Sequence, residues 1–154
     1  MYIAVVGMTM VVLPLISWGA NLLFFRGGAP GITLLEVWFV FWAFGVRLLL
    51  AGIRQVLQPA FTAQHIFEIS DEKSHVVVQE LGFANISLGV VGVLSLFMRD
   101  WILPASILGC IFYGLAGINH IFKKKNRTEW IAMVSDLYAS LALLSIFVAV
   151  ILTK

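Results

Sequence analysis

Hydrophobic residues dominate this chain in long blocks, and short polar clusters punctuate them. A helix needs roughly 20 apolar residues to cross the hydrocarbon layer of a bilayer. Five blocks meet that length: Tyr2 to Phe25, Leu34 to Leu57, Val76 to Met98, Ile102 to Phe122 and Trp130 to Leu152. The breaks between them have physical causes. Arg26-Gly-Gly-Ala-Pro30-Gly is a turn that a helix crosses with difficulty, Arg99-Asp100 is a charged hairpin tip, and Lys123-Lys-Lys-Asn-Arg127 is a solvated loop. The remaining connection, Gln58 to Ser74, is more structured. Pro59 ends or kinks the second span. Beyond it, Phe61, His65 and Glu68 keep helical spacing, as do Ile66 and Ile69, so a short helix lying in the interface is expected. Ser70-Asp-Glu-Lys73 then forms a polar turn that starts the third span.

The pattern predicts an all-α, polytopic integral membrane bundle. It has five transmembrane helices plus a short interfacial helix, and residues 1–154 form a single domain. Composition agrees. Of the 154 residues, 61% are hydrophobic and 12% charged, against about 25% charged in an average soluble domain, and the mean hydropathy is +1.01. A chain this small has too few polar residues to cover a soluble surface. The net charge of +2 is concentrated in one short run, which leaves no basic face for nucleic acid. The lipid bilayer is the expected partner, alongside a homo-oligomer or a membrane complex. Cys110 is the sole cysteine, so no internal disulfide and no CxxC pattern exists. The N-terminus lacks a basic n-region and an A-x-A site and is read as a retained span.

Five spans put the chain ends on opposite sides. One side carries Arg54, Lys73, Lys123, Lys124, Lys125 and Arg127, and the other Arg26, Arg99 and Lys154. The excess of basic residues marks the cytoplasmic side. The N-terminus is therefore expected inside and the C-terminus outside. Asn85-Ile-Ser87 and Asn126-Arg-Thr128 match the glycosylation pattern but lie in a span and a cytoplasmic loop, where no glycan is expected.

Polar residues at membrane depth carry the functional signal. Arg47 lies ten residues before Leu57, about 15 Å from the end of its helix. A central Arg costs about 2.5–3.5 kcal/mol on the insertion scale, and each Leu, Ile, Val or Phe of the span returns about 0.3–0.6 kcal/mol. The helix inserts, but Arg47 needs a partner. Asp136 is the first candidate and Glu80 the second. Asn85, Ser87, Asn119, His120, Ser135 and Tyr138 offer hydrogen bonds at similar depth, with Arg54 and Gln55 lower on the face of Arg47. Arg47, Glu80, Asn85, Asn119, His120 and Asp136 thus converge on the inner half of the bilayer from four helices. Either a polar cavity open to the cytoplasm or a buried network that locks the bundle produces this asymmetry. Gly82, Gly89 and Gly92, with Gly109, Gly114 and Gly117, let neighbouring helices approach closely.

Other motifs read as structure. Thr33-Leu-Leu-Glu36 resembles a capping box opening the second span, and Glu129 after Asn126 another. Four of the tryptophans sit near span boundaries, where an aromatic belt is expected; Trp42 lies deeper, in packing or in a ligand pocket. Pro14 is expected to kink the first span, and Pro104 falls in a first turn, where it is tolerated. Gln64-His-Ile-Phe67 and Asn119-His-Ile-Phe122 are near-copies, with His75 on the same side. His65 and His120 are weak candidates for a metal or haem site, because no histidine pair has ligand spacing. The chain holds no P-loop, dinucleotide fingerprint, H-E-x-x-H or G-x-S-x-G.

From Gly45 onward the chain resembles the DoxX-like small membrane proteins. The resemblance rests on the Arg-bearing helix Arg47 to Gln58, on Glu80-Leu-Gly82, on Gly89-Val-Val-Gly92 and on Ala116-Gly-Ile-Asn-His120. The first span would be an addition to that family's four. A nearer likeness is to uncharacterised five-span bacterial inner-membrane proteins with Thr62-Ala-Gln-His-Ile-Phe67 and Ser135-Asp136. The DoxX-like resemblance implies a link to quinone or thiol redox chemistry. The expected function is binding of a small or amphipathic ligand, quinone- or lipid-like, in the polar cavity, as a redox accessory. Arg47 would hold its anionic or carbonyl group, Asp136 and Glu80 would orient Arg47, and Asn85, Asn119 and His120 would add hydrogen bonds. The alternatives are a proton-coupled transporter and a scaffold subunit.

Overall fold

The computed structural model describes residues 2–24, 30–122 and 127–153. The predicted turn at Arg26–Ala29, Lys123–Asn126 of the basic loop and Lys154 lie outside the described residues. Among the described residues five helices are long and apolar enough to cross a membrane. They are α1 (Ile3–Phe24), α2 (Gly31–Leu57), α4 (Ser74–Leu94), α5 (Ile102–Ile121) and α6 (Arg127–Leu152). The short helix α3 (Pro59–His65) follows α2.

Local chemistry sets several boundaries. Pro30, with ψ of 141°, flanks the start of α2, and the Leu34 amide donates to its carbonyl at 3.2 Å. α2 therefore begins before Thr33, which corrects the capping-box reading. Glu36 falls instead in the second turn, on the buried face with Val37 and Val40, and is 1% exposed. α4 ends at Leu94, four residues earlier than the pattern implied. The Ser95 hydroxyl donates to the Gly92 carbonyl and a turn follows. α3 is shorter than its periodicity suggested. It stops at His65, and the backbone reverses at Glu68, whose φ is 57°. Positive φ is uncommon for a non-glycine residue.

α1 contains a π-helical turn at Met8–Val12, just before Leu13-Pro14. Proline lacks an amide hydrogen and crowds the carbonyl four residues back. A widened turn relieves both problems, and π-turns commonly interrupt α-helices in this way. A second π-turn, Val40–Val46, lies in the middle of α2 and packs beside the first.

The most extensive helix pairs are α5 with α6 and α2 with α4. Glycines create the second pair. A Cβ on Gly45 would lie 2.7 Å from the Gly92 backbone, one on Gly89 would lie 2.5 Å from the Leu49 nitrogen, and one on Gly52 would lie 2.6 Å from the Gly82 carbonyl. The two backbones thus touch along nearly three turns, the use of small residues expected in membrane bundles. Gly109 and Gly117 play the same part in α5, against Phe44 and Leu143 and against Leu137. The core between the pairs is filled by Met10, Val40, Phe44, Leu48, Tyr113, Leu143 and neighbours. Two tryptophans staple α1 to α2. Trp18 Nε1 donates to the Gly31 carbonyl at 2.8 Å, and Trp42 Nε1 donates to Ser17 Oγ at 2.9 Å. Trp42 is therefore a packing residue.

Candidate functional site: a cavity at the α3 end

Over Arg47–Leu57, α2 departs from α5 and packs chiefly with α4 and α3. The two tight helix pairs diverge there. Between them lies a cavity of about 760 Å³, within the roughly 300–1,000 Å³ common for small-molecule sites. All the helices line it: Val5 and Val6 of α1, Leu48 and Ala51 of α2, Phe61 and Thr62 of α3, Leu81 of α4, Phe112 and Ala116 of α5, Ala132 of α6.

The walls are mostly apolar, and the polar groups gather on a few of them. Arg47, Asn85, Asn119, His120 and Asp136 all line the cavity, so five of the six residues singled out in the sequence meet at one place. Glu80 does not line it; that side chain is exposed on the outer face of α4. Arg47 and Asp136 are 9% and 8% exposed and line the same cavity, where the guanidinium charge is near enough to bear on the Asp136 carboxyl. Such a pair needs further hydrogen bonds to be tolerated away from water.

His120 is buried between two carboxyl groups. Its Nδ1 lies 3.4 Å from Glu129 Oε1, and its Nε2 lies 4.0 Å from Asp136 Oδ2. The first distance is a long hydrogen bond, and the second is too long for one. Asn85 Nδ2 donates to Gln55 Oε1 at 2.7 Å, tying α4 to α2 at the cavity wall. Ser87 and Ser135 stay out of the network; their hydroxyls donate to Phe83 and Ala132 of their own helices. Tyr138 faces outward at 39% exposed. Tyr113 lines the cavity, and its hydroxyl donates to the Ala43 carbonyl at 2.6 Å, joining α5 to α2.

At the mouth the Arg54 guanidinium sits 3.5 Å over the Phe61 ring, and Phe61 stacks on His65 at 4.8 Å with 12° between planes. Stacking of this kind fixes α3 against the last turn of α2 and is worth about 0.5–1 kcal/mol at an exposed site. His65 is thus held in an aromatic stack away from His120. Among the described residues no group of three His, Cys, Asp or Glu side chains is placed to hold a metal ion.

Sequence reasoning gave Glu129 only a helix-capping role; it does lie in the first turn of α6, its capping partner Asn126 falls outside the described residues, and it also belongs to the site. It is 3% exposed and partners His120. The signal was present. Glu129 and Asp136 are seven residues apart, two turns along one face of α6. The aromatic mouth formed by Phe61 and Phe67 was not legible, because the direction in which α3 folds back depends on the reversal at Glu68.

These features define a class: a helical, multi-pass membrane bundle with a partly polar cavity between two glycine-tightened helix pairs. The chain belongs to DUF6790, a family of unknown function, which matches residues 4–153. No curated protein and no solved structure matches it.

Proposed function

We propose that this protein binds a small amphipathic ligand of the membrane, quinone- or lipid-like, in the cavity at its α3 end. The supporting observation is the placement of Arg47 and Asp136 on the wall of a 760 Å³ space whose other walls are largely apolar. A ligand site of this kind combines apolar area with a few convergent polar groups. Arg47 would hold an anionic or carbonyl oxygen, Asp136 would orient the guanidinium, and Asn119 and His120 would supply further hydrogen bonds. Asn85 would brace that wall through Gln55. The tally of basic residues favours a cytoplasmic α3 end, and the likeness to five-span bacterial proteins favours an inner membrane. The likeness to DoxX-like proteins favours a role as a redox accessory.

Native mass spectrometry of the detergent-purified protein, with an absorption spectrum of the same sample, tests this. A discrete added mass that is lost in a folded Arg47→Met variant is the expected result. A clean apo mass across several extraction conditions overturns it, and a Soret band would move the histidines to the centre of the site.

Proton-coupled transport is favoured by one observation, the bracketing of His120 by Glu129 and Asp136. An imidazole so placed can accept a proton at one nitrogen and release one at the other. In that case Asp136→Asn abolishes pH-driven flux into vesicles while the fold survives.

A further inference from the structure

The cavity has a second edge besides its mouth. Val5, Leu50, Ile53, Leu57 and Leu115 all line it, yet each belongs to the outer apolar surface of the bundle. Leu57 and Leu115 are 74% and 65% exposed. Ile53 and Leu50 lie four and seven residues before the end of α2, or about 6 and 10 Å along the axis, and Leu115 lies about 9 Å from the end of α5. Leu50, Ile53 and Leu115 are therefore below the helix ends, toward the hydrocarbon layer, whereas Leu57 closes α2 at the boundary. The edge opens where α2 and α5 diverge; its side chains at the level of Leu50, Ile53 and Leu115 are aliphatic, and the exposed polar residues Gln58 and Asn119 lie nearer the helix ends.

We propose that the cavity is loaded sideways from the bilayer. Its occupant is a single-chain lipophile that passes between α2 and α5, leaving its tail on Leu50, Ile53 and Leu115 and bringing an acceptor-bearing head to the interior. The proposal rests on the ligand-binding reading above and adds the source, the route and the chemical class. Three observations carry it. At the level of Leu50, Ile53 and Leu115 the edge has no polar residue to favour a water-soluble molecule. The cavity supplies donors suited to carbonyl, carboxylate or phosphate oxygens: Arg47 beside Asp136 in the interior and, nearer the helix ends, Asn119 and Arg54. Of the Arg, Lys, Asp and Glu side chains on the wall, Arg47 faces Asp136 inside and Arg54 adds a positive charge at the mouth, so a neutral or singly anionic head is better matched than a cationic one. A tail that stays in the hydrocarbon needs no desolvation, so the binding free energy comes from the head and from the walls it displaces lipid from.

The test uses the full chain in phosphatidylcholine nanodiscs with a fatty acid carrying a mid-chain diazirine, mapped by peptide mass spectrometry after illumination. The expected result is labelling of Leu50, Ile53 and Leu115 several-fold above that of lipid-facing Phe83, Val90 and Leu141. Unlabelled fatty acid competes it away, and it falls in Leu115→Trp and Leu50→Trp, which fill the gap from already exposed positions. Uniform, non-saturable labelling of all lipid-facing residues overturns the proposal. Saturable labelling of Phe61 and Phe67 that persists in both tryptophan variants means entry through the mouth; it overturns the sideways route and leaves the binding reading standing. Absence of any saturable labelling in the cavity overturns both.

Discussion

At the residue scale the central question is what Arg47 costs and what repays it. Arg47 and Asp136 are both more than nine-tenths buried and bear on each other electrostatically. Replacing Arg47 with Met strands the carboxyl group, and breaking a buried pair in this way typically costs about 3–5 kcal/mol. Replacing both, Arg47→Met with Asp136→Leu, removes the stranded charge and should recover most of that loss. Unfolding in mixed micelles, run as a double-mutant cycle, reads the coupling directly; additive single losses would mean that the two side chains do not act as a pair. Asn85→Leu provides the contrast. It removes one interhelical hydrogen bond to Gln55, and such bonds in membrane proteins average about 0.6 kcal/mol. Its loss of stability in the same assay should be a small fraction of that for Arg47→Met. An equal loss would show that Asn85 carries more than its Gln55 bond. These residues were legible in the sequence because polar groups are rare at depth. Glu80 was misplaced because its helix is apolar on every side, so periodicity gave no direction for any one side chain.

At the scale of elements, glycine does more than punctuate. α2 and α4 meet backbone to backbone, and a Cβ on Gly92 would lie 2.5 Å from Gly45 Cα. That contact cannot be relieved by a side-chain rotation, so Gly92→Ala must part the helices or bend one of them. Gly19, on α1, has nothing within 4 Å of an added Cβ. Gly19→Ala should be neutral or stabilising by about 0.5–1 kcal/mol, the usual gain of Ala over Gly inside a helix. Gly92→Ala should lose stability despite the same propensity gain. Melting curves of the two variants in one detergent check the pair of signs. A stabilised Gly92→Ala would mean that the helices are farther apart than the structure places them. The small-residue rows were visible in the sequence, but their partners were not: Gly45 and Gly52 on the facing helix were not linked to Gly82, Gly89 and Gly92. The π-turns were invisible apart from Pro14. Val40–Val46 holds no proline; it packs against α4 and α1, and the local pattern carries no mark of its widened turn.

At the scale of the whole molecule, one crossing, α4, separates two of the turns. The turn before α4 and the turn before α5 must face opposite sides of the membrane. Asp71 lies in the first and Asp100 in the second, and both are exposed. Five apolar blocks of spanning length make this legible in the sequence, since block length is set by bilayer thickness and not by packing. The sidedness rests instead on the distribution of basic residues, several of which lie outside the described residues. Cys110 is half-buried inside α5, so replacing it with Ser gives a background for single cysteines at Asp71 and Asp100. An impermeant maleimide added to intact cells should label Asp100→Cys and leave Asp71→Cys unlabelled until the membrane is opened. The reverse order would invert the bundle and put the α3 end, with its cavity and the Arg54–Phe61–His65 stack, on the outer side. Labelling of both positions in intact cells would break the five-crossing topology itself, and with it the depth argument that places Arg47 and Asp136 within the hydrocarbon layer.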